Sequence, residues 1–179
     1  MSSASETLRL CTFVVGDMLL GLPVDDVVEV IGGQRLTPVP LAADGVAGLL
    51  NLRGRIVAAV DVRTRVGLPA ADTGLVTAHV LVRHEGEQVS LVVDRPAELL
   101  TVLAADRKDV PANVTPTLRR LLTAAYPQSG ALLLVLDPQR VIAAPTAAAP
   151  ATVRTAVTAA VTLTVTAPPP TPDQPTPDR

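Results

Sequence analysis

The stretch Val46-Ala-Gly-Leu-Leu-Asn-Leu-Arg-Gly-Arg-Ile-Val-Ala-Ala-Val-Asp61-Val62 decides the fold. Two apolar runs, residues 49–52 and 56–60, flank the polar pair Arg53-Gly54. Such runs around a dipeptide ending in Gly predict a β-hairpin, because Gly accepts the positive φ of a tight turn. An arginine then stands at the tip of a rigid strand pair. Its guanidinium can fork onto a carboxylate or lie against a partner surface. By spacing alone, an ordinary solvated turn residue is the plainer account of Arg53, set against the bias of function toward loops.

The same signal recurs on both sides. Residues 8–15 and 18–23 read as strands joined by Gly16-Asp17, and 76–84 and 88–94 as strands joined by Glu85-Gly86. Residues 24–31 are ambiguous: Val27, Val30 and Ile31 fit one helical face, yet the valine content favours extended chain. Residues 36–39 read as a short strand, at an edge because of Pro38 and Pro40. Residues 41–47 read as a helical turn, and 61–66 as a short helix capped by Asp61 and stopped by Gly67 and Pro69. Further strands are expected at 98–103 and 131–136. Residues 104–117 read as loop, 118–125 as two helical turns with Arg119 and Arg120 outward, and Asp137-Pro138 as the start of a last helix ending near 142 or 143. Many short strands with Gly turns predict a mainly all-β fold, a barrel or sandwich. No fixed-period repeat is visible.

Composition narrows the function. Of 179 residues 48% are hydrophobic, enough for a core, but Phe13 and Tyr126 are the only aromatics. Stacking on bases is therefore disfavoured. A net charge of −2 lacks the basic face that nucleic acid requires, although Arg35, Arg53, Arg55, Arg63 and Arg65 make one segment locally basic. Cys11 is single, so no internal disulfide is expected. With no basic start before an apolar stretch and no run of about 18 apolar residues, a cytoplasmic protein without membrane insertion is expected.

From residue 144 the composition changes. Eight of the 17 prolines fall between 145 and 177. Residues 144–179 are expected to be a disordered tail, residues 1–7 a flexible start, and 8–143 the folded domain. Within the tail, Val161, Leu163 and Val165 alternate with Thr as in a strand, while Val153, Val157 and Val161 fall at helical spacing. Nothing else in the tail could cover either apolar face.

No reaction centre assembles. His79 and His84 lie five residues apart on one predicted strand, hence on opposite faces, and lack other metal ligands. No Gly-x-Ser-x-Gly elbow or phosphate loop occurs, and Lys108 is the only lysine. Asp25, Asp26 and Glu29 cluster, but acidic residues flanked by Val more commonly form a solvated face. Asp61 and Asp94 end apolar runs, where capping or turn roles suffice. The default is a binding module, with no cofactor or metal and no catalytic residue.

A family resemblance enters here. Leu20-Gly-Leu-Pro-Val24, Val27-Val-Glu-Val-Ile31, Leu36-Thr-Pro-Val-Pro40 and the 46–57 stretch with Asp61-Val62 resemble CheW-type chemotaxis coupling proteins. Val89-Ser-Leu-Val-Val-Asp94 and Leu132-Leu-Leu-Val-Leu-Asp137 follow in the expected order. The resemblance implies two packed five-stranded SH3-like barrels with a groove between them. It implies a non-catalytic adaptor that joins chemoreceptor cytoplasmic tips to a CheA-type histidine kinase. Arg53 would then be a partner contact, Asn51 and Gly54 would shape its turn, and Val27, Glu29, Val30 and Ile31 would lie on the contact surface. Two rivals stand beside it. One is an isolated receptor-binding module of a non-flagellar chemosensory pathway. The other is a small hydrolytic or ligand-binding barrel using Asp25, Asp26 and Glu29.

Overall fold

The computed structural model describes residues 6–69 and 78–143. The strands are β1 (Thr7–Val15), β2 (Met18–Pro23), β3 (Val27–Ile31), β4 (Val46–Leu52), β5 (Arg55–Asp61), β6 (Ala78–His84), β7 (Glu87–Val93), β8 (Arg95–Leu103), β9 (Leu122–Gln128) and β10 (Ala131–Leu136). Three short helices follow strands or precede them: α1 (Val62–Val66), α2 (Pro116–Leu121) and α3 (Pro138–Ala143).

The strands form two five-stranded sheets of one design. The first runs β8-β1-β2-β10-β9 and the second β3-β6-β7-β5-β4. Position by position the pairings agree: antiparallel, antiparallel, parallel, antiparallel. Each sheet is drawn toward a barrel in the same way. The segment leaving one edge strand crosses to the opposite edge and makes a two-bond bridge there. In the second barrel Thr37 bridges Leu49 of β4; in the first, Lys108 bridges Ala125 of β9. The chain starts in the first barrel, leaves to build the second, and returns to finish the first.

The largest core lies between the barrels. Phe13, Leu20 and Leu22 of the first sheet pack with Val80, Leu91 and Val93 of the second, and with Val66, Leu118 and Val141 of the helices. Fully burying a side chain of this size contributes roughly 1.5–3 kcal/mol, so this shared wall holds the barrels as one unit. Asp94, at the β7–β8 junction, adds a polar clamp. Its Oδ2 accepts from Gly16 N at 2.6 Å and from Arg63 of α1 at 2.5 Å. The two hairpins and the helix are thus tied at one nearly buried carboxylate, more than the turn role its sequence position suggested.

Local expectations fare unevenly. The hairpins at Gly16-Asp17, Arg53-Gly54 and Glu85-Gly86 form, and Asp61 and Asp137 cap α1 and α3 through bonds to Arg63 N, Gln139 N and Arg140 N. Residues 24–31 resolve into a 3-10 turn, Val24–Asp26, and then extended β3. Residues 36–39 supply only the Thr37 bridge, since Pro38 and Pro40 cannot donate. The expected helical turn at 41–47 is replaced by turns that give way to β4 at Val46, with Gly45 at φ 83° between them. The expected helix over 118–125 ends at Leu121, because Leu122, Ala124, Ala125 and Tyr126 pair along β10 as the extended strand β9. Strand β8 starts at Arg95, earlier than expected. Residues 76–77 and the tail from 144 lie outside the described residues.

Candidate functional site

The candidate site is the rim of the second barrel at the β4–β5 turn. At the β4–β5 turn Arg53 and Gly54 have φ of 52° and 82°, the left-handed pair of a type I′ hairpin. Asn51 closes it from within, its Oδ1 accepting from Gly54 N at 3.0 Å. The turn therefore aims Arg53 across the mouth of the barrel. There the guanidinium donates to Glu29 Oε1 on β3 at 2.8 Å. β3 and β4 are opposite edges of the sheet, so this pair joins the two ends of the barrel wall at the surface.

The burial pattern of β3 alternates. Val28 and Val30 stand outward, 40% and 38% exposed, while Val27 packs on the shared core and Ile31 on the second barrel's own interior with Leu50, Val57 and Leu81. Of the residues expected on the contact surface, Arg53 and Val30 are exposed, while Glu29 is half-buried and alternates with Val27 and Ile31, not with the two outward valines. Val27 and Ile31 hold the strand from beneath. Val28 was missed, although reading 27–31 as a strand would have exposed it by alternation.

Magnitudes separate stability from function at this rim. Arg53's side chain is 76% exposed. An ion pair this wet contributes on the order of 0.2–1 kcal/mol at most. The pair does not hold the barrel; it orients a cation whose remaining donors face solvent. Two outward valines lie on the strand it reaches.

The acidic cluster is divided. Glu29 is turned to Arg53, while Asp26's carboxyl is raised by burial and by the neighbouring charges of Asp137 and Asp25. The histidines also diverge. His84 Nδ1 meets Gln139 Oε1, and His79 is fully buried between Gln34 and Ser90. Among the described residues no cluster of three or more His, Cys, Asp or Glu could hold a metal. Cys11 is buried, and burial raises its thiol above the ordinary range.

Two like barrels fused through a common core, with an Arg–Glu pair on the rim of one, are the architecture to be placed among known proteins, and they place the chain in a class of chemotaxis scaffold proteins. The chain belongs to the CheW-like domain family, whose model matches residues 9–146. It is 27% identical over 141 residues to the chemotaxis protein CheW of Treponema pallidum, covering 76% of this chain and 83% of that one. It is 25% identical over 142 residues to CheW of Thermotoga maritima, covering 79% and 92%. The scaffolding protein TtCheW from Thermoanaerobacter tengcongensis, a solved structure, shares the fold with a TM-score of 0.68 at 20% identity, over 77% of this chain and 94% of that one. Among the described residues no helix is long and apolar enough to cross a membrane.

Proposed function

We infer that this chain is a cytoplasmic adaptor that couples chemoreceptor cytoplasmic tips to a CheA-type histidine kinase and catalyses no reaction itself. The observation that carries this reading is the Arg53–Glu29 rim. The equivalent β9–β10 turn of the first barrel is Ser129-Gly130, so the same barrel design closes there without a cation at its tip. Arg53 is thus surplus to the fold and available for recognition. In this reading Arg53 supplies register, Glu29 fixes its rotamer, and Val28 and Val30 bury against the partner. Asn51 and Gly54 set the turn, and Val27 and Ile31 keep β3 in place.

The test is recovery of a CheA-type kinase and of a receptor cytoplasmic fragment on immobilised full-length protein. Arg53→Ala is expected to reduce recovery of at least one about tenfold, the effect of about 1.4 kcal/mol, with an unchanged unfolding midpoint. Glu29→Ala should give a smaller loss, since the cation remains but is no longer held. Unchanged recovery of both partners with Arg53→Ala would sink the assignment of the site.

A further inference from the structure

Among the described residues three that are not glycine have a positive φ: Leu41 at 56°, Arg53 at 52° and Glu85 at 48°. Arg53 and Glu85 are polar, and each precedes Gly in a two-residue hairpin whose strand pairing demands that conformation. Leu41 is in no hairpin. Pro40 precedes it and Ala42 N donates to Val39 O at 3.2 Å, so Leu41 is the third residue of a type II turn, the place that calls for Gly or Asn. Its side chain is 105% exposed. A single leucine on a surface needs no explanation. Here the strained backbone and the wet side chain are both unfavourable, and Gly or Asn would relieve both. Nor does barrel closure require a leucine. Past the closing bridges at Thr37 and Lys108 the two barrels read Val39-Pro40-Leu41 and Val110-Pro111-Ala112. Val110 packs on the shared core and Ala112 has no positive φ.

The tip that carries Leu41 is stiff. Before it, Thr37 exchanges two backbone bonds of 2.8 Å with Leu49; after it, Val46 N donates to Ala43 O at 3.0 Å; between them Pro38 and Pro40 fix two φ angles. A side chain presented on such a loop loses little freedom on being bound. The tip is also neutral: from residue 36 to residue 52 Asp44 is the only charged side chain. Without a cation it has nothing to hold it on an anionic membrane, and one leucine is too little apolar surface to do so alone. The chemistry that fits it is an uncharged apolar pocket in a protein. The tip precedes β4 and Arg53 follows it, so the two stand at opposite ends of a seven-residue strand, about 23 Å long. A partner on one leaves the other open.

We propose that Leu41 is the anchor of a second protein contact, seated in an uncharged apolar pocket of whichever coupled partner Arg53 does not engage. This rests on the two-partner reading above. The test is recovery of the kinase and of the receptor fragment on immobilised full-length Leu41→Asn and Arg53→Ala proteins. Leu41→Asn is expected to lower recovery of one partner about tenfold, with Arg53→Ala acting on the other. Its unfolding midpoint in urea should equal or exceed that of the original protein, because Asn tolerates the left-handed φ. A lower midpoint would make Leu41 a packing residue and overturn the proposal, as would loss of the same partner in both variants. Two further results would do so by naming another occupant: binding of the original protein to phosphatidylglycerol–phosphatidylcholine vesicles, or its self-association in sedimentation, lost in Leu41→Asn. If Leu41→Asn leaves both recoveries unchanged while Arg53→Ala lowers one, this inference fails and the adaptor reading stands. If Arg53→Ala is silent while Leu41→Asn lowers one, the site assigned to Arg53 fails instead.

Discussion

The two barrels have the same strand order and pairing senses, so each serves as a control for the other. They differ at three further corresponding places. Next to the closing bridge the first barrel has Ala124 and the second Gly48. On the corresponding strands β1 and β6, the buried polar residue is Thr12 in one and His79 in the other. At the hairpin tip, Ser129 faces Arg53. Their interiors also differ. Among the described residues, six buried apolar residues, Tyr126 among them, line the first barrel's own core, and three, Leu50, Val57 and Leu81, line that of the second, where the polar pair His79 and Ser90 is also buried. A leaner interior makes the second barrel depend more on its closure and its polar ties. The shared features are what the fold requires, and each unshared one needs a local reason.

Gly48 has a steric reason, and it yields the largest expected effect. Its φ is 144°, and a Cβ there would lie 2.6 Å from the Thr37 carbonyl oxygen, the acceptor of the closing bridge. Gly48→Ala must push the 36–40 segment off β4 and is expected to cost about 3 kcal/mol. The first barrel offers the control. Gly130 has φ 81° but open space around its missing Cβ, so Gly130→Ala should cost only about 1–2 kcal/mol of backbone strain. Urea denaturation of both variants checks the ranking, and equal losses would show that closure at Thr37 is not what makes the second barrel fragile.

His79 should make that fragility depend on pH. Gln34 N–H can only donate, so its 3.2 Å bond to Nε2 requires a bare nitrogen there, leaving Nδ1–H for Ser90 Oγ at 2.9 Å. The folded state thus holds the neutral imidazole, and burial lowers its pKa below the ordinary value of 6.5. Above that value neither state binds the proton and stability is flat. As pH falls through 6.5 the unfolded chain takes up a proton that the folded one refuses, so stability declines, by at most about 1.4 kcal/mol per pH unit, until the folded pKa is reached. Thr12, bonded to Glu98 O at 2.6 Å, has no titrating group. Hydrogen exchange at pH 5.5 against 7.5 should therefore show residues 27–37 losing protection ahead of β8, and a reversed order would break the contrast.

The sequence made these contrasts only partly visible. Two-residue Gly turns at 16–17, 53–54 and 85–86, and the caps at Asp61 and Asp137, depend on chemistry within four residues and could be read directly. The duplication could not, because the hairpin β1–β2 comes first in the chain yet occupies the place in its barrel that β6–β7 takes last in the other. Periodicity scanning does not detect a permuted order. The helical reading of 118–125 holds only as far as Leu121, and from Leu122 pairing with β10, a contact made outside the local sequence, imposes an extended strand. The Arg53 turn was legible in full, but its partner Glu29 is 24 residues away and follows from closure of the barrel. Arg63–Asp94, 31 residues apart, is hidden for the same reason.

Arg53 has no steric or burial reason, and the sharpest use of the comparison is to make its tip resemble an ordinary hairpin. Arg53→Asn is the substitution of choice, because Asn is the side chain that best tolerates the left-handed φ of 52° and Asn-Gly is the preferred type I′ pair. The turn should keep or slightly improve its stability, and loss of the exposed ion pair with Glu29 should offset that gain, for a net change within about 0.5 kcal/mol. Arg53→Lys keeps the charge but not the planar fork, and a single ammonium cannot both hold Glu29 and present further donors in fixed directions. If the second barrel's rim is an interface and the first barrel's tip is only a turn, both variants unfold like the original protein. Asn should then lose partner recovery almost fully and Lys in part. Ser129→Asn at the other tip should change neither quantity. A drop in stability at Arg53 as large as that at Gly48 would instead make the arginine part of the closure and remove its claim to recognition.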